Sequence, residues 1–340
     1  MNKIYNLLDE QLVADLFRKK VLPLYPAFRS IEKITINPIK KNIWNKAYHV
    51  VFEYETIFKK NSGETVKLLI YTSAHSAEPR KNVFTALSFL WDSSFSDGNF
   101  TIPRPLFFES EYNAVFYRGV RGKNLYYYIQ SKNFAEIESL VKKTALWLAK
   151  LHRLPAGAAQ NFNEINSRVE TIIPGRKETL NLIRDRYPDQ LASVAKCYEA
   201  IIGREEKHLD ETKARCLIHG DAHSENVIRV SEEKIAMIDF TDICLGDFAR
   251  DLGAFIQQLE YKCRKKFEDG GYIEKLKKIF LDAYLHETNL KLTPDLAERI
   301  KTYYYWTSFR TAIFLFLFHN PQPQKAKELL AKTMAGLDIN

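Results

Sequence analysis

Eight residues of the chain read HGDAHSEN and lie between apolar flanks, with His219, Asp221, His223 and Asn226 among them. Asp221 and Asn226 are five positions apart, and Asp239 follows Asn226 by thirteen positions at the end of the run IAMID. Phosphoryl transfer from a nucleotide needs a carboxylate that accepts a hydroxyl proton and hard oxygen ligands for Mg²⁺. We therefore expect Asp221 to act as the base and Asn226 and Asp239 to hold the metal.

The two histidines suggest a second chemistry, because side chains four positions apart on a helix can bind one zinc ion. Gly220 follows His219 directly, which argues against a helix interior, and no third soft ligand is nearby in the sequence. A zinc site is therefore the weaker hypothesis.

The elements around this motif divide the chain by character. The first part contains strand-like runs rich in Val, Ile, Tyr, Phe and Thr, with one amphipathic segment, RKNVFTALSFLWD, that predicts a helix. KKNSGE between two of the runs predicts a hairpin turn. After RGVRGKNL long segments with helical periodicity take over, and in one of them Thr293 and Pro294 predict an N-cap and a first turn. We predict an α+β protein with two lobes, a small antiparallel-sheet lobe over residues 1–118 and a larger, mainly helical lobe over residues 119–340.

Within the helical part, CLI, VIRV and IAMIDF form an island of short strands around the motif. A tight hairpin at SEEK, between VIRV and IAMIDF, would bring Asn226 and Asp239 together, since the two residues flank it.

HGDAHSEN matches the protein-kinase catalytic loop H-R-D-x-x-x-x-N place by place. With IDFTD, GDFARDLG, LAKLHRL, IPRPL and RGVRGKNL, it resembles the aminoglycoside phosphotransferase and choline kinase group of small-molecule kinases, over residues 102–284. The resemblance implies a protein kinase-like fold and transfer of the γ-phosphoryl group of MgATP to a hydroxyl of a small molecule. It also implies that His219 supports the loop, that His223 lies near the phosphates or the substrate, and that Asp251 anchors a helix N-terminus.

Two further acids, Asp242 and Asp247, are expected to accept hydrogen bonds rather than to catalyse. Only FTDICLG separates Asp239 from Asp247, so the activation segment of a protein kinase is missing. A small-molecule acceptor is therefore favoured over a peptide.

The nucleotide-binding half departs from the family pattern. IKKNIWNKAYHV, where a phosphate-covering loop is expected, contains no glycine, and hydropathy places Ile70 where the strand lysine should be. Lys67 is the remaining lysine of that strand, and the hinge residues Tyr117, Arg118 and Val120 would read the base through their backbone. A non-catalytic nucleotide or metabolite binder therefore stays open as the alternative function.

The acceptor is left open among choline or ethanolamine, an amino acid, a sugar and an antibiotic, and GTP could replace ATP. The aromatic run YYYW and the acid-rich run GREEKHLDE could serve a cationic substrate, but core packing and a solvated helix face are the favoured interpretations.

The 340 residues carry a net charge of +8, which favours anionic partners such as nucleotides, without an arginine-rich arm that would indicate nucleic acid. The four cysteines form no CxxC pair, and neither a signal peptide nor a membrane span is apparent. A cytoplasmic protein is expected, with its oligomeric state open.

Overall fold

The computed structural model describes residues 2–155, 160–212, 215–318 and 320–339. The chain forms two compact units, one from Met1–Gly122 with Ile228–Thr241 and the other from Lys123–Val227 with Asp242–Asn340. The first unit thus includes a segment far beyond residue 118. Among the described residues, no helix is long and apolar enough to cross a membrane.

The first unit is built on a five-stranded antiparallel sheet in the order β1-β2-β3-β6-β5. Its strands are β1 (Phe28–Ile43), β2 (Tyr48–Lys60), β3 (Thr65–His75), β5 (Arg104–Glu109) and β6 (Ala114–Arg118). The predicted turn between β2 and β3 is confirmed: Gly63 adopts φ +88°, and the Lys60 N–H donates to the Glu64 carbonyl oxygen at 2.8 Å. Alternate residues of β2 and β3 are buried, as the period of a strand requires.

One face of this sheet is covered by the helix α1 (Glu10–Lys20). Phe17 of α1 meets the rings of Tyr54, Phe107 and Phe116 edge-on at centroid separations of 5.3, 6.5 and 6.0 Å. The helix α2 (Arg80–Leu90), predicted from its periodicity, connects β3 to the short strand β4 (Phe100–Thr101) and to β5.

The hairpin that carries Asp239 belongs to the first unit from Ile228 onward. Its strands are β9 (Val227–Arg229) and β10 (Ile235–Met237), and the Val230 N–H donates to the Lys234 carbonyl oxygen at 2.9 Å. β10 pairs in parallel with β4. Asn226 immediately precedes β9, and Asp239 follows β10 after one intervening residue.

The second unit is mainly helical. Its described elements are β7 (Lys123–Asn124), α3 (Leu125–Gln130), α4 (Phe134–His152), α5 (Arg176–Arg186), α6 (Leu191–Thr212), β8 (Cys216–Ile218), β11 (Cys244–Gly246), α7 (Ala249–Arg264), α8 (Gly270–Thr288), α9 (Pro294–Leu317) and α10 (Pro323–Gly336). The predicted start of α9 is confirmed, because the Thr293 hydroxyl accepts a hydrogen bond from the Leu296 N–H at 3.2 Å.

Candidate active site

The loop that carries Asp221 leaves β8, which pairs with β11 in the second unit. Gly220 adopts φ +82°, and a Cβ atom there would lie 2.3 Å from the Asp242 carbonyl oxygen, so this turn requires glycine. The fully buried carboxylate of Asp251 accepts hydrogen bonds from the His219 N–H at 2.7 Å and the Gly220 N–H at 2.9 Å. Asp251 also contacts His152 Nε2 at 3.1 Å. The first turn of α7 therefore holds the start of the loop in place.

Asp221 itself is 44% exposed at the side chain, whereas its neighbours in the loop are more buried. His223 Nε2 lies 3.4 Å from its carboxylate. Burial alone would raise the pKa of Asp221, but His223, His219 and Arg310 outweigh it and hold that pKa well below its usual range. Asp221 is therefore ionised and accessible at neutral pH.

Asn226 is buried and its amide orientation is determined by the loop. Its Nδ2 donates to the Asp221 carbonyl oxygen at 3.0 Å, and a carbonyl can only accept, so the amide oxygen points elsewhere. Among the described residues, none donates a hydrogen bond to that oxygen. It is a hard oxygen atom, the type of ligand that Mg²⁺ prefers.

Asp239 lies in the first unit, at the end of the β9–β10 hairpin, with a left-handed backbone at φ +65°. The Thr241 hydroxyl donates to Asp239 Oδ1 at 2.8 Å. Arg80 Nη1 donates in turn to the Thr241 hydroxyl at 3.0 Å, and Arg80 Nη2 lies 3.0 Å from Glu78 Oε2. Arg80 is almost fully buried. This chain of contacts orients one carboxylate oxygen of Asp239, and within the described residues no hydrogen bond reaches the other.

No group of three or more His, Cys, Asp or Glu side chains suited to a metal occurs within the parts of the chain that the structure describes. The candidate Mg²⁺ ligands are different, since one of them is an amide oxygen.

The strand β3 presents its residues to the two faces of the sheet in alternation. Ile70 is fully buried beside Tyr54, in the core cluster that contains Phe17. The opposite face carries Lys67 and Tyr71. Lys67 Nζ forms an ion pair with Glu55 Oε1 at 2.7 Å, so its charge is already compensated.

Tyr71 lies opposite Tyr117 of the predicted hinge, because β3 and β6 pair in that register. Its ring stacks on that of Tyr117 with a centroid separation of 6.0 Å, and a Cβ atom on Gly119 would lie 2.2 Å from it. Burial, and then the charge of Asp239, raise the pKa of Tyr117. Lys67, Arg118 and Val120 line a cavity of about 390 Å³ in the same unit, and Tyr117 is not part of its lining.

The acids after the loop have structural partners. Asp242 accepts a hydrogen bond from Asn166 Nδ2. Asp247 is buried, accepts from the Ala249 N–H at 3.0 Å at the start of α7, and forms an ion pair with Arg299.

Sequence reasoning missed two cationic residues near these groups, Arg80 and Arg310. Arg80 is the first residue of α2, and the acid Glu78 two positions before it is the one local indication of an ion pair with Arg80. Arg310 lies inside α9, where the helical periodicity carries no sign that one side chain would face a cavity beside Asp221.

The fold is protein kinase-like, as three similar solved structures show. A choline kinase from Cryptosporidium parvum Iowa II has a TM-score of 0.61 and 12% sequence identity, and the match covers 96% of this chain and 95% of that chain. A choline/ethanolamine kinase family protein from Mesorhizobium loti has a TM-score of 0.59 and 13% identity, with 96% of this chain and 94% of that chain covered. A streptomycin-ATP-APH(2")-IIa ternary complex has a TM-score of 0.59 and 13% identity, with 96% of this chain and 98% of that chain covered. At such low identity they establish the fold alone.

The profile of the phosphotransferase enzyme family matches residues 36–272, more than half of the chain. The protein belongs to this family. A comparison with curated protein sequences gives no match.

Proposed function

We propose that the protein is an ATP-dependent kinase that transfers the γ-phosphoryl group of MgATP to a hydroxyl group of a small molecule. One observation carries the proposal: the Asp221 carboxylate is exposed and kept ionised, while the surrounding loop is buried and held by Asp251. The family match and the structural similarity to a complex that contains ATP support the same reaction.

In the proposed reaction the acceptor hydroxyl oxygen forms a bond to the γ-phosphorus. The bond from that phosphorus to the β–γ bridging oxygen breaks, and ADP leaves with the electron pair. The hydroxyl proton passes to the Asp221 carboxylate. Because most of the stabilisation in phosphoryl transfer comes from positioning and charge, a carboxylate of low pKa is sufficient to orient the hydroxyl.

Asn226 and Asp239 would hold Mg²⁺, because each has an oxygen that no described residue uses. When bound, Mg²⁺ supplies positive charge that neutralises the phosphate oxygens. Thr241 and Arg80 keep the Asp239 carboxylate in one orientation, which reduces the cost of assembling the site.

The non-catalytic nucleotide binder remains the second candidate, and one observation favours it. The face of β3 opposite Ile70 carries Tyr71 and a Lys67 that is paired with Glu55, so this strand supplies no uncompensated cation for nucleotide phosphates.

An Asp221→Asn variant separates the two functions. A kinase should lose turnover by about 10³-fold or more, measured as MgATP-dependent ADP release with a panel of hydroxyl compounds, because the hydroxyl loses its proton acceptor. Its affinity for MgATP should stay within about twofold, as calorimetry would measure. Asp185→Asn, on the exposed side of α5, is the matched control. Full turnover in Asp221→Asn would refute the role of Asp221, and nucleotide binding without any turnover in the wild type would favour the second candidate.

A further inference from the structure

A cavity of about 1110 Å³ lies beside Asp221 in the second unit. Its walls come from the catalytic loop and from α7, α9 and α10. Because the Asp221 carboxylate lines this cavity, the proposed function makes it the acceptor site. The charges on its walls therefore bear on the chemical class of the acceptor.

Cations outnumber carboxylates in this lining. Six side chains are cationic and three are carboxylates. The cations are Arg250, Lys262, Lys265, Arg310, Lys325 and Lys332. Lys262 and Glu225 form an ion pair at 2.9 Å and cancel, the buried Arg250 donates to the carbonyl oxygens of Asn166 and Gly220, and Lys332 Nζ lies 3.5 Å from Glu260 Oε1. Three cations, Lys265, Arg310 and Lys325, then remain against Asp221 and Glu328, and Asp221 is needed for the hydroxyl proton. A cationic acceptor would meet a wall of its own sign, which is unfavourable for binding.

Arg310 is the cation best placed to recognise an acceptor. It is half-buried in the middle of α9, and within the described residues its guanidinium forms no hydrogen bond or ion pair. Its ring contact is with Trp306, at 5.8 Å from the centroid. A partly buried guanidinium without an ion-pair partner in contact is costly, and a bidentate anion would compensate it.

Arg310 and Asp221 line the same cavity. An anionic group held by Arg310 would thus lie in the same cavity as the carboxylate that receives the hydroxyl proton.

The features that would suit a cationic acceptor have other partners. Tyr303 and Tyr304 donate their hydroxyls to Glu205 and Glu260, and Lys265 already lies 3.9 Å from the ring centroid of Tyr261. The acid-rich stretch 203–210 contributes none of its described residues to this cavity.

We propose that the phosphate acceptor carries an anionic group, a carboxylate or a phosphate, in addition to its hydroxyl, and that Arg310 binds that group. This proposal rests on the proposed function, which it narrows. An anionic acceptor excludes choline and polycationic antibiotics as the substrate class.

The first experiment compares acceptors that differ in charge but share a hydroxyl: glycerol, glycerate, glycerol phosphate, choline and streptomycin. We measure MgATP-dependent ADP release, and binding by calorimetry in the presence of saturating MgADP. Glycerate or glycerol phosphate should be preferred over glycerol and over both cations by at least about tenfold. Preference for glycerate indicates a carboxylate and preference for glycerol phosphate a phosphate. Preference for glycerol, choline or streptomycin would overturn the inference and leave the proposed function standing.

The second experiment tests Arg310 without turnover. Inorganic phosphate and malonate are titrated into the wild type and Arg310→Gln, with MgADP occupying the nucleotide site. At least one anion should bind the wild type and be weakened about tenfold or more in the variant, because a charge-assisted contact is lost. Arg310→Lys, which keeps the charge but not the planar fork, should be intermediate and serves if the glutamine variant does not fold. Arg184→Gln, an exposed position of α5, is the control.

The two experiments distinguish a failure of the proposed anion site from a failure of the proposed function. If neither anion binds the wild type, or if both bind Arg310→Gln as well as the wild type, the anion site is refuted whatever the enzyme phosphorylates. If Asp221→Asn keeps full turnover, the proposed catalytic role fails, and the anion titrations still decide the role of Arg310.

Discussion

Replacing Asp251 by asparagine tests whether one buried carboxylate holds the catalytic loop. Asp251 is fully inaccessible and receives the His219 and Gly220 N–H groups and His152 Nε2. An asparagine of the same shape keeps one oxygen, but its amide nitrogen must face one of these donors. The change therefore removes the charge and leaves at least one buried donor without an acceptor.

The expected loss follows from these contacts. A hydrogen bond to a charged group contributes about 1.5–3 kcal/mol, and an unsatisfied buried donor costs about 1–3 kcal/mol. We expect Asp251→Asn to lower the free energy of unfolding by about 3–5 kcal/mol at pH 7, the range found when one partner of a buried pair is removed. Urea unfolding followed by tryptophan fluorescence measures it, and Trp147, 6.1 Å from the His219 ring, gives a local signal.

The pH dependence has a definite sign. Burial alone would raise the pKa of Asp251, but His152, His219 and the Gly220 N–H outweigh it, so the folded pKa lies below the unfolded value of about 3.9. The stabilisation is present above that unfolded value and is lost as pH falls toward the folded pKa. The difference between wild type and variant should therefore shrink in acid.

Asp282→Asn is the control, since Asp282 is exposed on α8 and paired with Lys278 at 2.8 Å. We expect it to change stability by less than about 0.5 kcal/mol. If Asp251→Asn unfolds at the same urea concentration as this control, Asp251 does not hold the loop, and its contacts with His219 and Gly220 contribute no net stability.

Three further changes test the remaining contacts. Thr241→Val removes the hydroxyl that orients Asp239, so the Mg²⁺ concentration for half-maximal ADP binding should rise about tenfold while metal-free ADP binding stays constant; an unchanged Mg²⁺ requirement would exclude the orienting role. His223→Gln should raise the pKa of Asp221 and move the acid limb of the kcat profile to higher pH, because the base then protonates earlier as pH falls; an unmoved limb contradicts this. Gly220→Ala should destabilise by about 2–4 kcal/mol in thermal unfolding, since a Cβ would meet a backbone carbonyl oxygen at 2.3 Å; wild-type stability would show that the turn relaxes.

Local signals predicted several elements well. The hairpin turn at Gly63, the helix α2 and the N-cap Thr293 depend on neighbours within a few positions, and their residue types specify them. The three-residue strands β8 and β11 are too short to show a periodic pattern. The sequence therefore predicts a strand at CLI but not its partner strand at Cys244–Gly246. Hydropathy at Ile70 identified a core position, and only the sheet decided that Lys67 and Tyr71 occupy the other face.

The sequence by itself determined the family resemblance, the α+β class and the order of the candidate groups Asp221, Asn226 and Asp239. These features lie in contiguous segments, where spacing is visible. The tertiary structure decided what surrounds them: His152 reaches Asp251 across 99 positions, and Arg310 lines the cavity of Asp221 from a distant helix. Helical periodicity specifies that a helix buries a face but not what that face contacts, so only the packing of α9 determines which charges line the cavity beside Asp221.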